Sequence, residues 1–451
     1  MSDRVFRSRR VVTPTGVRAA AIEVRDGVIV AVHGPDGAPP DLPVHDAHDA
    51  VILPGLVDTH VHVNEPGRTA WEGFDCATRA AAAGGVTTLV DMPLNSIPAT
   101  VTRTALGTKR AAALGRCAVD VGFLGGVVPR QLAEITGLHD AGVLGFKCFL
   151  VDSGVEEFPP VGEAQLERAV AAVAATGAVL MAHCELPGPL ATAATPLVTR
   201  RHAEYVATRP AEAETSAIAL LLRLAERHHA RVHVVHVSSA ASLPLLRAAR
   251  SRGLPVTAET CPHYLHFAAG DVPDGATEFK CAPPIRSAGD REALWGALAD
   301  GTLDQIVSDH SPCPPELRQR AIGDFMAAWG GIASLQLGLG IAWTGMRARR
   351  LPVERLAEWC SAAPARLVGL AQRKGAIAAG LDADLVVWAP EEEHTVRAED
   401  LLHRHKLTPY LGARLAGVVH STWLRGERVY SRERGVEGMP GHLLYRETAS
   451  V

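Results

Sequence analysis

What most constrains this chain is an alternation. Through its middle, short Val-rich runs that are apolar on both faces take turns with Ala-, Leu- and Arg-rich stretches of helical length. Eight such runs stand at 57–62, 86–92, 119–124, 145–150, 178–184, 231–237, 255–259 and 305–308. A run with no polar face has no side to show to water, so it belongs in a parallel sheet covered on both sides. The intervening helices are expected at 71–83, 103–114, 162–175, 210–227 and 290–299, with a last one near 332–343. Pro210 suits a first helical turn, with Thr208 as a cap upstream. Eight strand–helix repeats over roughly 320 residues match a (β/α)8 barrel, for which about 250 residues plus insertions is usual. A doubly wound open sheet is the alternative, but the first run is not followed by a Gly-x-Gly-x-x-Gly turn. In a barrel, chemistry sits at the C-terminal ends of the strands.

The two ends read differently. Segments 20–24 and 28–32 flank Asp26-Gly27, a hairpin signal, and segments 383–388, 416–419 and 421–430 follow the barrel, the last with Arg425-Gly426 as its turn. Neither end is long enough for a core of its own. They are therefore expected to meet in one small β-sandwich domain, 1–52 with 379–451, beside a barrel over 53–378.

Composition narrows the class. Lys and Arg total 45 against 49 Asp and Glu, a net charge of −4, which argues against a nucleic-acid partner. With 47% hydrophobic residues the chain can bury a large core, and 5% aromatics make a stacking platform improbable as its main business. The longest mostly apolar run, 332–343, is too short for a bilayer, and Arg4, Arg7, Arg9 and Arg10 are not followed by an apolar leader. Cysteines at 76, 117, 148, 184, 261, 281, 313 and 360 form no Cys-x-x-Cys pair, which fits reduced thiols in the cytoplasm.

Polar residues then gather where the barrel needs them. His60 and His62 close the first run, and side chains two apart on a strand share a face. Alone, the pair suits a metal or a polar cap on a barrel mouth equally well. His183 ends the fifth run, His236 the sixth, and Asp309 follows the eighth. Four histidines and an acid at strand ends of one barrel are hard to explain as packing. His233 should point elsewhere and is read as structural; His202, His228 and His229 fall in a helical region and are read as surface residues. Lys147 lies inside a short apolar run, where an unpaired ammonium is costly. It either reaches past the strand to water or a carboxylate, or its amine has reacted with carbon dioxide to give a carbamate. Burial favours the second outcome by keeping the amine uncharged.

The order His-x-His, Lys, His, His, Asp resembles the amidohydrolase superfamily of binuclear metal hydrolases. Within it the chain is most similar to the allantoinases among the cyclic amidohydrolases. The similarity rests on DTHVHVNEPG at 58–67, WEGF at 71–74, AAAAGGVTT at 80–88 and DMPLN at 91–95. It continues with GFKCF at 145–149, ETCPHY at 259–264, KCAPPIR at 280–286, SDHSPC at 308–313 and HKLTPY at 405–410. The resemblance implies two divalent cations, zinc first among zinc, iron, manganese and cobalt. His60, His62 and Asp309 would hold one, His183 and His236 the other, with N6-carboxylated Lys147 between them. It implies a shared hydroxide as nucleophile, Asp309 as the catalytic acid–base group, and a site carrying about one excess positive charge. It also implies a homotetramer.

Sister activities differ at single positions. Similar dihydroorotases carry an arginine two residues after the second histidine, where Asn64 stands here, an amide suited to a ureido group. Dihydropyrimidinases and hydantoinases carry a tyrosine five residues after the lysine, where this chain has Asp152. Both differences favour allantoin, opened at its hydantoin ring to allantoate. Asn95 and the main chain around Cys281 and Ser311 resemble the family's substrate contacts, though Asn95 equally suits a turn after Pro93. A non-catalytic assembly protein on the same fold would have lost ligands. Here all six ligand positions are filled.

Overall fold

All eight runs are strands in the computed structural model, which describes residues 3–446. They are Leu56–Val61, Val86–Asp91, Asp120–Phe123 continued by Gly125–Gly126, Phe146–Phe149, Leu180–His183, Val232–Val234, Val256–Thr260 and Gln305–Ile306. Neighbours pair in parallel throughout. One seam closes where the Leu144 N–H donates to Phe123 O at 2.9 Å, the other where the His62 N–H donates to His310 O at 2.8 Å. Closure leaves no open edge, and the crossovers that parallel pairing demands supply the outer helices. Helix Phe74–Ala83 shows why its sequence is Ala-rich: Ala77, Ala80, Ala81 and Ala82 are fully buried, so the helix lies close against the strands.

The helices depart from expectation where tertiary contacts intervene. The first begins at Phe74 rather than residue 71, because Glu65 Oε2 accepts the Phe74 N–H at 2.8 Å. Residues 332–337 stay out of the helix expected there, which runs Gly338–Ala348 and is followed by the short helices Val353–Ala357 and Ala363–Leu367. Ile332 pairs with His310 instead, and His310 Nδ1 accepts the Ser334 N–H at 3.1 Å. Thr208 does not cap the following helix. It closes His202–Ala207, while Pro210 takes the N-cap position of Ala211–His228.

Both chain ends join one nine-stranded sheet. Strand Val51–Pro54 is its keystone: it pairs antiparallel with Leu385–Thr395 and parallel with Arg4–Thr13. The core of this sheet includes Phe6, Ile22, Ile52, Leu385 and Trp423. The expected hairpins are present, and Asp26-Gly27 and Arg425-Gly426 both adopt the positive φ of tight hairpin turns. Segments expected separately at 416–419 and 421–430 are instead the strand Arg414–Leu424 and its partner Glu427–Ser431. Gly55 joins this sheet to the barrel at a point where a Cβ would lie 2.1 Å from Thr87 Oγ1, so no larger residue fits.

A buried ion network ties the β domain to the base of the barrel. Lys374 Nζ donates to Asp120 Oδ2 at 2.7 Å and Asp384 Oδ2 at 2.6 Å, and lies 2.9 Å from Asp382 Oδ2. Burial acts to lower the Lys374 pKa, but the three carboxylates outweigh it and raise it. Arg425 Nη1 adds a second cation on Asp120 at 2.5 Å.

Candidate metal centre

The strand ends converge at the barrel mouth. His60 Nε2 and His62 Nε2 approach the same oxygen, Asp309 Oδ1, at 3.2 and 3.4 Å. The neighbouring pair faces nitrogen to nitrogen, His183 Nδ1 lying 3.0 Å from His236 Nε2. Ligands at about 2.0–2.1 Å from a tetrahedral cation stand about 3.3 Å from one another, so these spacings suit two ions. His236 and Asp309 leave their strands at φ 38° and 44°, left-handed conformations that turn both side chains into the mouth. Non-glycine residues in that region concentrate at functional sites.

Two carboxylates behind the imidazoles set which nitrogen is free. Glu259 Oε1 lies 2.5 Å from His60 Nδ1, and Glu185 Oε2 lies 2.8 Å from His183 Nε2. Each takes the ring N–H and leaves the opposite lone pair turned toward the centre, the usual support of a metal-bound histidine. Burial lowers the pKa of His62 to about 4 and that of His236 well below its ordinary value, so both rings are neutral at pH 7. Burial acts to raise Asp309, but His60 and His62 outweigh it and keep the carboxyl below its usual range. Neutral imidazoles and an ionised acid are the forms that bind cations.

Lys147 is fully buried, its Nζ 4.9 Å from the Phe149 ring centre and without a hydrogen-bond partner among the described residues. Burial pushes its pKa down to about 8, against the opposing pull of Glu259 and Asp309. The same Phe149 ring stacks on His183, with centroids 4.6 Å apart.

His60, His62, His183, His236 and Asp309 floor a cavity of about 430 Å³. Asn95, Cys281, Ser311 and Asp152 are among its lining residues. Asn64 does not line it: its Nδ2 donates to Pro312 O at 3.3 Å, which places the amide behind the wall. Tyr205 and Arg209 are wall residues that sequence reasoning passed over. The Tyr205 hydroxyl donates to Cys281 O at 2.9 Å, and Arg209 Nε donates to Glu185 Oε1 at 3.0 Å. Glu185 was within reach of sequence reasoning, as an acid two residues after His183 in a buried run; Glu259 sits in the ETCPHY stretch. His233 is structural as expected, with Nε2 2.8 Å from Glu259 Oε2. His202, expected on the surface, is buried beside Phe325 and the wall residue Tyr205, one layer behind the cavity.

The model of the amidohydrolase family matches residues 51–429. The chain is 53% identical to an allantoinase of Streptomyces avermitilis over 98% of both chains. It is 42% identical to an allantoinase of Arabidopsis thaliana, covering 97% of this chain and 90% of that one. Among solved structures, an L-hydantoinase (dihydropyrimidinase) from Arthrobacter aurescens superposes with a TM-score of 0.91 at 31% identity, over 99% of this chain and 100% of that one.

Proposed function

The chain belongs to the amidohydrolase family, and from that premise we propose that it hydrolyses allantoin to allantoate at a centre of two divalent cations. The observation that carries the substrate is the 53% identity to an allantoinase across nearly the whole of both chains. His60, His62 and Asp309 would hold one cation, His183 and His236 the other. Lys147 would serve both as a carbamate, formed when its neutral amine adds to the carbon of carbon dioxide, making an N–C bond and releasing one proton. The buried, unpartnered Nζ supports that reading. Zinc is the first candidate, since imidazole and carboxylate suit it; iron, manganese and cobalt use the same donors.

When bound, such a pair of cations supplies hydroxide at neutral pH and polarises the scissile carbonyl. The chain does the rest. Asp309 accepts the proton of the attacking water and returns it to the departing ring nitrogen. Water thereby adds across the ring C–N bond, which opens to a carboxylate and a free ureido nitrogen. Asn95, Ser311 and the main chain at Cys281 orient the ring from the cavity wall. The Tyr205 hydroxyl holds the Cys281 carbonyl in place.

A hydantoinase reading has one observation in its favour, the close superposition on an L-hydantoinase. Asp152 weighs against it, a carboxylate where such enzymes are expected to place a phenol. Initial rates on allantoin, hydantoin, dihydrouracil and dihydroorotate decide the matter. We expect the highest kcat/KM on allantoin; faster opening of hydantoin or dihydrouracil overturns the substrate assignment.

Cytoplasmic residence and a homotetramer belong to the same reading. Eight free thiols support a reducing compartment. No helix among the described residues is long and apolar enough to cross a membrane.

A further inference from the structure

The carboxylates behind the two cation positions are chemically unequal. Glu259, behind His60, shares its other oxygen with His233 Nε2 at 2.8 Å and Gln305 Nε2 at 3.0 Å. Thr257 Oγ1 lies 2.7 Å from the remaining nitrogen of His233. Among the described residues no Lys or Arg pairs with the Glu259 carboxylate, whose partners are His60, His233 and Gln305. Glu185, behind His183, is clamped by the Arg209 guanidinium through both oxygens, with Nε on Oε1 at 3.0 Å and Nη2 on Oε2. Its charge is cancelled within the protein.

The inner ligands repeat this asymmetry. Asp309 adds a second negative charge beside His60 and His62, whereas His183 and His236 have no acid of their own. In a site this buried, a charge one residue beyond the ligand still acts strongly on a cation.

We infer that Arg209, by neutralising Glu185, makes the His183/His236 position the weaker of the two and the first to lose its cation. The inference rests on the two-cation reading above. Arg209 is then a positioning residue: it acts on the centre through Glu185 and His183. It lines the cavity, so substrate and solvent reach the same guanidinium.

The test is zinc-loaded full-length protein equilibrated against increasing dipicolinate, with zinc per chain read by mass spectrometry. Wild type is expected to lose its two ions in separate steps. In Arg209→Gln, Glu185 is left uncancelled, and the first step should move about tenfold or more toward the second. Arg209→Lys, which keeps the charge, should stay near wild type. Glu259→Gln should instead weaken the second step and leave the first in place. Loss of both ions in one step in wild type overturns the inference while leaving two cations per chain intact. So does a folded Arg209→Gln protein with an unmoved first step, or a Glu259→Gln protein whose first step alone shifts. Saturation at fewer than two zinc ions per chain overturns the two-cation reading itself.

Discussion

At the base of the barrel, Asp120, Asp382 and Asp384 bring carboxylate oxygens within 4.8 Å of one another, as close as the ligand atoms of His60, His62 and Asp309 at the mouth. By spacing alone, both clusters qualify as cation sites. The base cluster already contains its cation, because Lys374 Nζ touches all three acids. At the mouth no Lys or Arg among the described residues pairs with Asp309. Among the same residues Lys147 Nζ has no hydrogen-bond partner, and one nitrogen of His236 and the Asn95 Oδ1 are likewise unmatched. The same kind of acid cluster is a structural lock where the chain supplies the counter-charge and a candidate reaction centre where it withholds it. Clustering of ligand types is thus weaker grounds for a site than clustering with unmet donors.

That contrast predicts opposite outcomes for two lysine substitutions. At the mouth, Lys147→Ala removes the bridge, and turnover should fall at least about 1,000-fold, the loss of several kcal/mol of transition-state stabilisation. Metal content should fall with it; full metal and full turnover would refute the carbamate. At the base, Lys374→Met leaves three buried acids short of a cation. It should cost about 3–5 kcal/mol in urea unfolding, with zinc stoichiometry unchanged in the protein that folds. Comparable losses of metal in both variants would erase the distinction between lock and site.

Acid should separate the two ends more gently. His202 is buried behind the cavity wall, beside Tyr205 and Phe325, and burial holds its pKa at about 4, below its ordinary 6.5. The unfolded segment takes up a proton near pH 6.5 and the folded segment only near pH 4. Its stability is therefore full above pH 6.5 and lost as pH falls toward 4, by at most about 3 kcal/mol. The opening free energy of residues 199–209, read from hydrogen exchange after correction for the intrinsic pH dependence of amide exchange, should fall between pH 7.5 and 5, while that near Asp120 holds. His202→Gln should flatten the dependence.

Much of this architecture was legible because it is periodic. Apolar runs of strand length and Ala-rich stretches of helical length follow from local composition, and eight repeats permit few closures. Five of the six candidate ligands were legible for the same reason, as polar residues at or just past the end of an apolar run; Lys147 stood out instead as a charge inside one. Strand Arg4–Thr13 was harder to read, because four arginines break its apolar pattern. In the fold, Arg7 pairs with Asp46 at 2.6 Å, Arg9 with Asp49 at 2.9 Å and Arg10 with Glu391, so acids from distant segments meet those charges. His202 misled because its neighbours are polar, and nothing local tells that the segment folds inward.

The sequence by itself determined the strands, the helices and the residues that stand at strand ends, since these follow from side-chain period and backbone preference within a few residues. Only the tertiary structure decided which nitrogen of each histidine is free, because the acids that settle it arrive from elsewhere. Glu259 reaches His60 across 199 residues of chain, and Arg209 reaches Glu185 across 24. It also decided that one trio of acids encloses a lysine and that Asn64 turns away from the cavity. Such outcomes depend on distances between segments that no local pattern encodes, and electrostatic energies change steeply with those distances.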